Sequence, residues 1–241
     1  MVAVRRRVIA TLTLMSYRNI ANALSKSNKE RVASLLASSV PLDSISNHEK
    51  LAAVLVPFCS IDGIPHLLFT RRSSGLSAHP GEICFPGGRY DKSDCDLVQT
   101  AIREFKEEIG SEKNLDFNVM GLLQQPMRQF INRRNLIYAV IADIGEVYCH
   151  PRSRPNTSSI LLQPTPPEVD EILLLQLSEL CNPVNQTHTV FRMPEMLIQM
   201  PSYKVPNFPI IWGLTSRILT ITIELMTGAK HQYIMKQLTQ T

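Results

Sequence analysis

The stretch "GGRYDKSDCDLVQTAIREFKEEIG", residues 87–110, decides the fold. Its second half, "REFKEEIG" (103–110), places Glu104, Glu107 and Glu108 within a turn and a half of helix. Val98, Ile102, Phe105 and Ile109 recur at steps of four, three and four, the period of one helical face turned toward a core. The spacing predicts a helix over 96–109, closed by Gly110 at its C-cap. The three glutamates stand at i, i+3 and i+4, on a different face, where like charges repel. Two such residues would ordinarily be a solvated surface. Three of them beside Arg103 call for a counter-ion, and a hard divalent cation, which takes carboxylate oxygens, supplies one. Ahead of the helix, Gly87-Gly88 predicts a tight loop where backbone approaches a ligand or the helix.

With these residues in place, the segment resembles the Nudix box: a glycine, five residues, a glutamate, seven residues, then R-E-apolar-x-E-E-x-G. The back half matches at Arg103, Glu104, Phe105, Glu107, Glu108 and Gly110. The front half departs. Counting forward from Gly88 reaches Asp94; counting back from Arg103 reaches Cys95. One residue is extra, an aspartate stands near the usual glutamate, and Ser111 replaces the apolar residue after the last glycine. Upstream, "LFTRRSSGLSAHPGEICFPGG" (68–88) is similar to the signature of the coenzyme A-type Nudix hydrolases. Leu68, Thr70, Arg72, Ser73, Gly81, Phe85, Pro86, Gly87 and Gly88 fit it, while Phe69 replaces a leucine and Ser77 replaces the central arginine. "PPEVDEILLLQLSELCNP" and "IIWGLTSRIL" resemble later segments of that family, so the likeness covers about residues 50–225.

The resemblance implies an α+β fold, an α/β/α sandwich with a mixed sheet and a catalytic loop–helix–loop. It implies hydrolysis of the diphosphate bond of coenzyme A and acyl-CoA to 3′,5′-ADP and (acyl-)4′-phosphopantetheine. A diphosphate is polyanionic, so attack by water needs charge neutralisation and positioning more than a covalent nucleophile. Glu104, Glu107 and Glu108 are the expected ligands of Mg²⁺ or Mn²⁺. Arg103 is expected to orient a box carboxylate rather than bind substrate, since its planar fork pairs bidentately. Glu104 or Glu107 is the expected general base, with Glu168 and Glu171 as alternatives outside the box. Arg71, Arg72, Ser73, Gly87 and Gly88 are the substrate-binding candidates, the arginines for a phosphate. Arg133-Arg134, Arg152 and Arg154 read as solvated loop charges, His150 and His188 as unremarkable, and Trp212 as core.

Two rival functions stay open. Ser77 in place of arginine allows a Nudix hydrolase of another nucleoside diphosphate derivative, such as NADH or a dinucleoside polyphosphate. A non-catalytic module that binds CoA or a nucleotide is the other, and the intact acids argue against it.

Charge and composition narrow the partners. Residues 1–31 hold seven basic residues and one acid, which leaves eighteen basic and twenty acidic residues for 32–241. The basic balance therefore belongs to the N-terminus, and no nucleic-acid-binding body follows from it. Five scattered cysteines without C-x-x-C exclude a disulfide framework or structural zinc and fit a reducing compartment. No apolar run reaches the roughly 20 residues of a spanning helix, so no membrane insertion is expected. Residues 1–29, basic with no acid, read as a mitochondrial targeting peptide; a secretory signal or a disordered basic tail are the alternatives. Residues 30–241 read as one domain ending in a helix. The C-terminus is not of the S-K-L type; a mitochondrial location is expected, with the peroxisome and cytosol as alternatives. Monomer and homodimer are both open.

The remaining pattern predicts a helix at 30–37 and strands at 51–58 and 65–70 around an Asp62-Gly63 hairpin turn. Further strands are predicted at 81–85, 117–123, 136–144 and 170–177, a loop over 150–167, and a C-terminal helix at 210–227.

Overall fold

A computed structural model describes residues 18–40, 50–111, 115–128, 135–148, 160–193 and 196–238. Cys149, His150, Arg133, Arg134, Arg152 and Arg154 lie outside the described residues. A mixed sheet forms the centre. In it β1 (Lys50–Ile61) pairs antiparallel with β2 (Ile64–Arg72) and parallel with the long β8 (Asn135–Tyr148). β1 reads as a near-continuous apolar run because both its faces are covered. Its Ala53 and Leu55 face one core, and its Val56 and Phe58 face the other.

The Asp62-Gly63 turn forms as expected, with both residues at positive φ (51° and 73°), the conformation of a two-residue hairpin. β3 (Ile83–Cys84) adds to β2, and β4 (Gly87–Arg89) adds to β1. β3 is shorter than the expected 81–85 because Gly81 and Glu82 are spent closing the preceding loop on Arg72: the Gly81 amide donates to the Arg72 carbonyl and the Arg72 amide donates to that of Glu82, each at 3.0 Å.

The first core lies between the sheet and α2 (Leu97–Glu108), where Leu97, Ala101 and Phe105 meet Leu55, Leu68 and Val140. The helix does not end on a glycine cap. Its C-cap is Ile109 in extended geometry, and the chain runs straight into β5 (Ile109–Ser111), so Gly110 sits in a strand paired with β9 (Ile160–Pro164). β6 (Asn118–Leu122) and β7 (Met127–Arg128) pair with β8, and β10 (Val169–Gln176) pairs with β2 at the edge. β9 falls inside the expected 150–167 loop: prolines and serines around it mask a five-residue strand whose Leu162 is buried.

The second core lies on the opposite face. After α3 (Leu177–Cys181), β11 (Gln186–Met193) and β12 (Met196–Tyr203) form an antiparallel pair extended by β13 (Lys236–Leu238). α4 (Gly213–Thr227) buries Ile218, Leu219, Ile223 and Met226 against Phe58, Phe69 and Phe85, and ends on Gly228 at φ 73°. This second sheet has no counterpart in the pattern reading, because Gln, Thr and His alternate with its apolar residues. α1 (Lys26–Ala33) begins four residues before the expected helix, capped by Ser25. The expected division at residue 29 cuts through packed residues: Ile20, Ala23 and Val32 share one core cluster with α4. The result is the expected α+β sandwich with a mixed central sheet. Among the described residues no helix is long and apolar enough to cross a membrane.

Candidate metal and diphosphate site

The site is built where β4 runs under α2. Gly87 and Gly88 are strand residues opposite Val54 and Ala53, and not a loop. Both lie in close approach, to different things: a Cβ on Gly87 would strike the backbone at Ala53 and Val54, which cannot give way, and a Cβ on Gly88 would meet the flexible carboxyl end of Glu104. Gly88 thus keeps room for one acid of the box.

The buried face of α2 comprises Leu97, Thr100, Ala101, Phe105 and Glu108. Val98 and Ile102, from the expected stripe, are only half-buried. The three acids therefore do not share one environment. Glu107 is half-exposed at 56%, Glu104 has 15% of its side chain accessible, and Glu108 is 3% exposed as a residue. Burial raises the Glu104 carboxyl, and Arg103 offsets part of that rise. Burial pushes Glu108 up to about 8; Arg72 and a hydrogen bond from the Gly87 amide oppose the shift, while Glu104 and Glu168 add to it. Glu108 Oε2 is buried with no hydrogen-bond partner. A buried carboxylate oxygen left without a partner costs on the order of 1–3 kcal/mol.

Arg103 organises the acids. Its Nε and Nη2 donate to the two oxygens of Asp94 at 2.9 and 3.0 Å, and Nη2 also donates to the Arg89 carbonyl at 2.9 Å. Nη1 reaches Glu104 at 3.0 Å and Glu107 at 3.2 Å. Asp94, whose side chain is 2% exposed, also accepts from the Thr100 hydroxyl at 2.9 Å and the Asp91 amide at 3.0 Å. Hydrogen bonds from Arg103 hold its carboxyl down at about 2. The residue counted forward from Gly88 thus fills the partner role, and the extra position is taken up by Cys95 and the helix N-cap Asp96, which accepts from the Gln99 amide at 2.7 Å. Thr100 and the Arg89 carbonyl escaped the sequence reading. The spacing of Thr100 six residues after Asp94 was the available signal.

Around this centre the other candidates divide. Arg72 acts on Glu108 through its charge. The Ser73 amide donates to the Glu168 carbonyl at 2.9 Å, which ties the β2 end to the turn before β10, and Glu168 bears electrostatically on both Glu104 and Glu108. Arg71 and Glu171 are not brought to the site. They pair with each other at 3.1 Å on the α4 side of the sheet, since Arg71 alternates with Arg72 along β2.

Among the described residues no three acidic, histidine or cysteine side chains already converge on one point. The donors nonetheless suit a hard cation. They are all carboxylate oxygens, one of them buried and unpartnered, and Gly88 clears space at Glu104. A polar cleft of about 620 Å³ lies elsewhere, between the N-terminal segment and the end of α4, and contains none of these acids.

Comparison with known proteins identifies the family. The NUDIX domain family model matches residues 49–194. The chain is 34% identical over 216 residues to mitochondrial coenzyme A diphosphatase NUDT8 of Mus musculus, covering 88% of this chain and 93% of that one. It is 36% identical over 184 residues to the Homo sapiens NUDT8 protein, covering 75% and 71%. A shorter match, 50% over 58 residues, links it to peroxisomal coenzyme A diphosphatase NUDT7 of Mus musculus, covering 24% and 25%. The family match spans the central sheet, the glycine strand and the carboxylate helix together, and the chain belongs to the Nudix family.

Proposed function

We propose that this chain is a coenzyme A diphosphatase, hydrolysing CoA and acyl-CoA to 3′,5′-ADP and (acyl-)4′-phosphopantetheine. The chemistry rests on one observation: a buried, unpartnered Glu108 oxygen on the helix whose Glu104 is given room by Gly88. The substrate class follows from the two NUDT8 relatives, matched over most of their length. Nudix hydrolases depend on a divalent metal. The oxygen donors favour Mg²⁺ or Mn²⁺, held by Glu104, Glu107 and Glu108. When bound, such an ion neutralises diphosphate charge and lowers the pKa of water.

The side chains divide the remaining work. Arg103, fixed by Asp94, sets the rotamers of Glu104 and Glu107. Arg72 faces the site with its cation and binds a phosphate oxygen, while Ser73, Gly87 and Gly88 shape the floor on which the diphosphate lies. Glu104, Glu107 or Glu168 takes the proton from the attacking water; Glu171, engaged with Arg71, is the weaker candidate.

We also propose a mitochondrial location, with the acid-poor N-terminal segment as the targeting peptide, in keeping with the mitochondrial relatives. Incubation with CoA and Mg²⁺ followed by chromatography should yield 3′,5′-ADP. Ser77 supports one rival substrate class, so the panel includes NADH and a dinucleoside polyphosphate. Turnover of those without turnover of any CoA species would reject the substrate assignment. Binding of CoA without turnover of anything would favour a non-catalytic module.

A further inference from the structure

The last turn of α4 leaves carbonyls that the residues next to it do not satisfy. The carbonyls of Glu224, Leu225, Met226 and Thr227 have no further turn of helix to receive them. Glu224 is satisfied locally by the Gly228 amide at 2.8 Å. The other three are met from nearly 200 residues away in sequence. Arg31 Nη2 donates to Leu225 at 2.6 Å, Asn28 Nδ2 to Met226 at 2.9 Å, and Asn19 Nδ2 to Thr227 at 3.0 Å. Asn28 Nδ2 also bonds the Ala23 carbonyl at 2.8 Å, and its Oδ1 receives Arg31, so two of the three donors are tied to each other. Ile20 and Ala23 enter the core beside Met226. Lys29 reaches across to Asp143 of β8 at 2.7 Å, with both side chains largely buried.

We propose that residues 18–33 form a strap belonging to the mature enzyme, and that proteolytic removal of a leader ends upstream of Asn19. The placement of that limit rests on the mitochondrial reading; the strap itself does not. Peptide hydrolysis adds water across the amide and leaves an ammonium on the downstream fragment. A cut between Ile20 and Lys29 would set that charge in a packed segment and strip one or two caps from α4, Asn19 alone or Asn19 with Asn28, while Arg31 stays. A cut before Asn19 removes none of them.

Two measurements test this. In the first, the full chain is compared in thermal melting with versions starting at residue 18 and residue 30. The first version should melt within about 2 °C of the full chain, and the second about 10 °C lower or not fold, given the usual conversion of stability to Tm at this size. Asn28→Ala in the full chain provides a version that folds; it should melt about 3–5 °C lower with CoA hydrolysis at 25 °C unchanged. Equal melting of all versions overturns the strap. In the second, the C-terminally tagged protein is recovered from mitochondria and its N-terminus read by mass spectrometry. A terminus at or before Asn19 supports the limit, and a folded, active enzyme starting after Ile20 overturns it. Protein that stays uncut in the cytosol refutes the targeting reading and the processing limit with it, and leaves the strap decided by melting.

Discussion

Asp94 places both carboxylate oxygens on Arg103, Oδ1 to Nε at 2.9 Å and Oδ2 to Nη2 at 3.0 Å, and thereby aims the remaining guanidinium nitrogen at Glu104 and Glu107. Asp94→Asn keeps the shape and loses the charge. Breaking a buried pair from one side costs about 3 kcal/mol, and denaturant unfolding should show it. Turnover of CoA should fall about 10- to 100-fold, because the loss frees the rotamers of Glu104 and Glu107, the proposed metal ligands. The pair also sets an acid limit. The Asp94 carboxyl, held down at about 2 from an ordinary value near 3.8, contributes stability that is complete above about pH 4. That contribution, about 2 kcal/mol, is lost as pH falls toward 2. Subtracting the pH profile of the Asp94→Asn protein from that of the wild type isolates it; parallel profiles would show that the pair does not titrate.

Glu108 runs the opposite way. With its carboxyl raised to about 8, the metal-free protein carries it protonated at neutral pH. Its stabilising share is full below about pH 4.5 and is lost as pH rises through 8. Binding of a divalent ion must release that proton. Mn²⁺ affinity should therefore climb up to about tenfold per pH unit below 8 and level off above it. Calorimetry in buffers of different ionisation enthalpy counts the protons. Glu108→Gln should flatten this dependence while weakening binding.

Gly88→Ala tests the room beneath Glu104. The added methyl meets the end of a flexible side chain, so the fold should survive with Tm changed by only a few degrees. The carboxyl of Glu104 must swing away, and metal affinity should drop at least about tenfold. A variant with wild-type affinity would show that Glu104 does not need its present position.

Glu168 and Glu171 look alike in sequence and differ in place. Glu168→Gln should lower kcat by about 10²-fold if it takes the proton, with KM for CoA little changed. Glu171→Gln breaks only a half-exposed pair with Arg71, worth less than about 1 kcal/mol, and should leave kcat within about twofold. The reverse order of effects would move the base to the other face of the sheet.

Much of this was legible because α2, β1, β2, β8, β10 and α4 carry strong apolar periods and the back half of the box, Arg103 to Gly110, keeps its spacing. The failures have particular causes. Glu108 reads as surface because it is an acid, whereas it occupies the helix position that continues Leu97, Ala101 and Phe105 into the core. Val98 and Ile102 read as core because they are apolar, yet they sit at its flank. Arg71 and Arg72 are adjacent in sequence, and strand alternation sends them to opposite faces. The role of Asp94 depends on a loop of irregular backbone, where spacing alone does not say which carboxylate turns inward. β9 and the β11–β12 pair escape notice since proline and polar residues interrupt their patterns and tertiary packing overrides them.

The parallel ladder at the centre has a temporal meaning. From Lys50↔Asn135 to Phe58↔Asp143, partners in β1 and β8 are separated by about 85 residues of chain. A contact of such long range pays its loop-closure entropy before any neighbouring strand rewards it. β4 adds to β1, and α2 covers both. The core side of α2 packs on Leu55 of β1 and Val140 of β8, so its seat draws on both distant halves of the chain. Closure of the β1–β8 ladder, and with it the final seating of α2, is therefore expected to be slower than the microseconds of hairpin and helix formation.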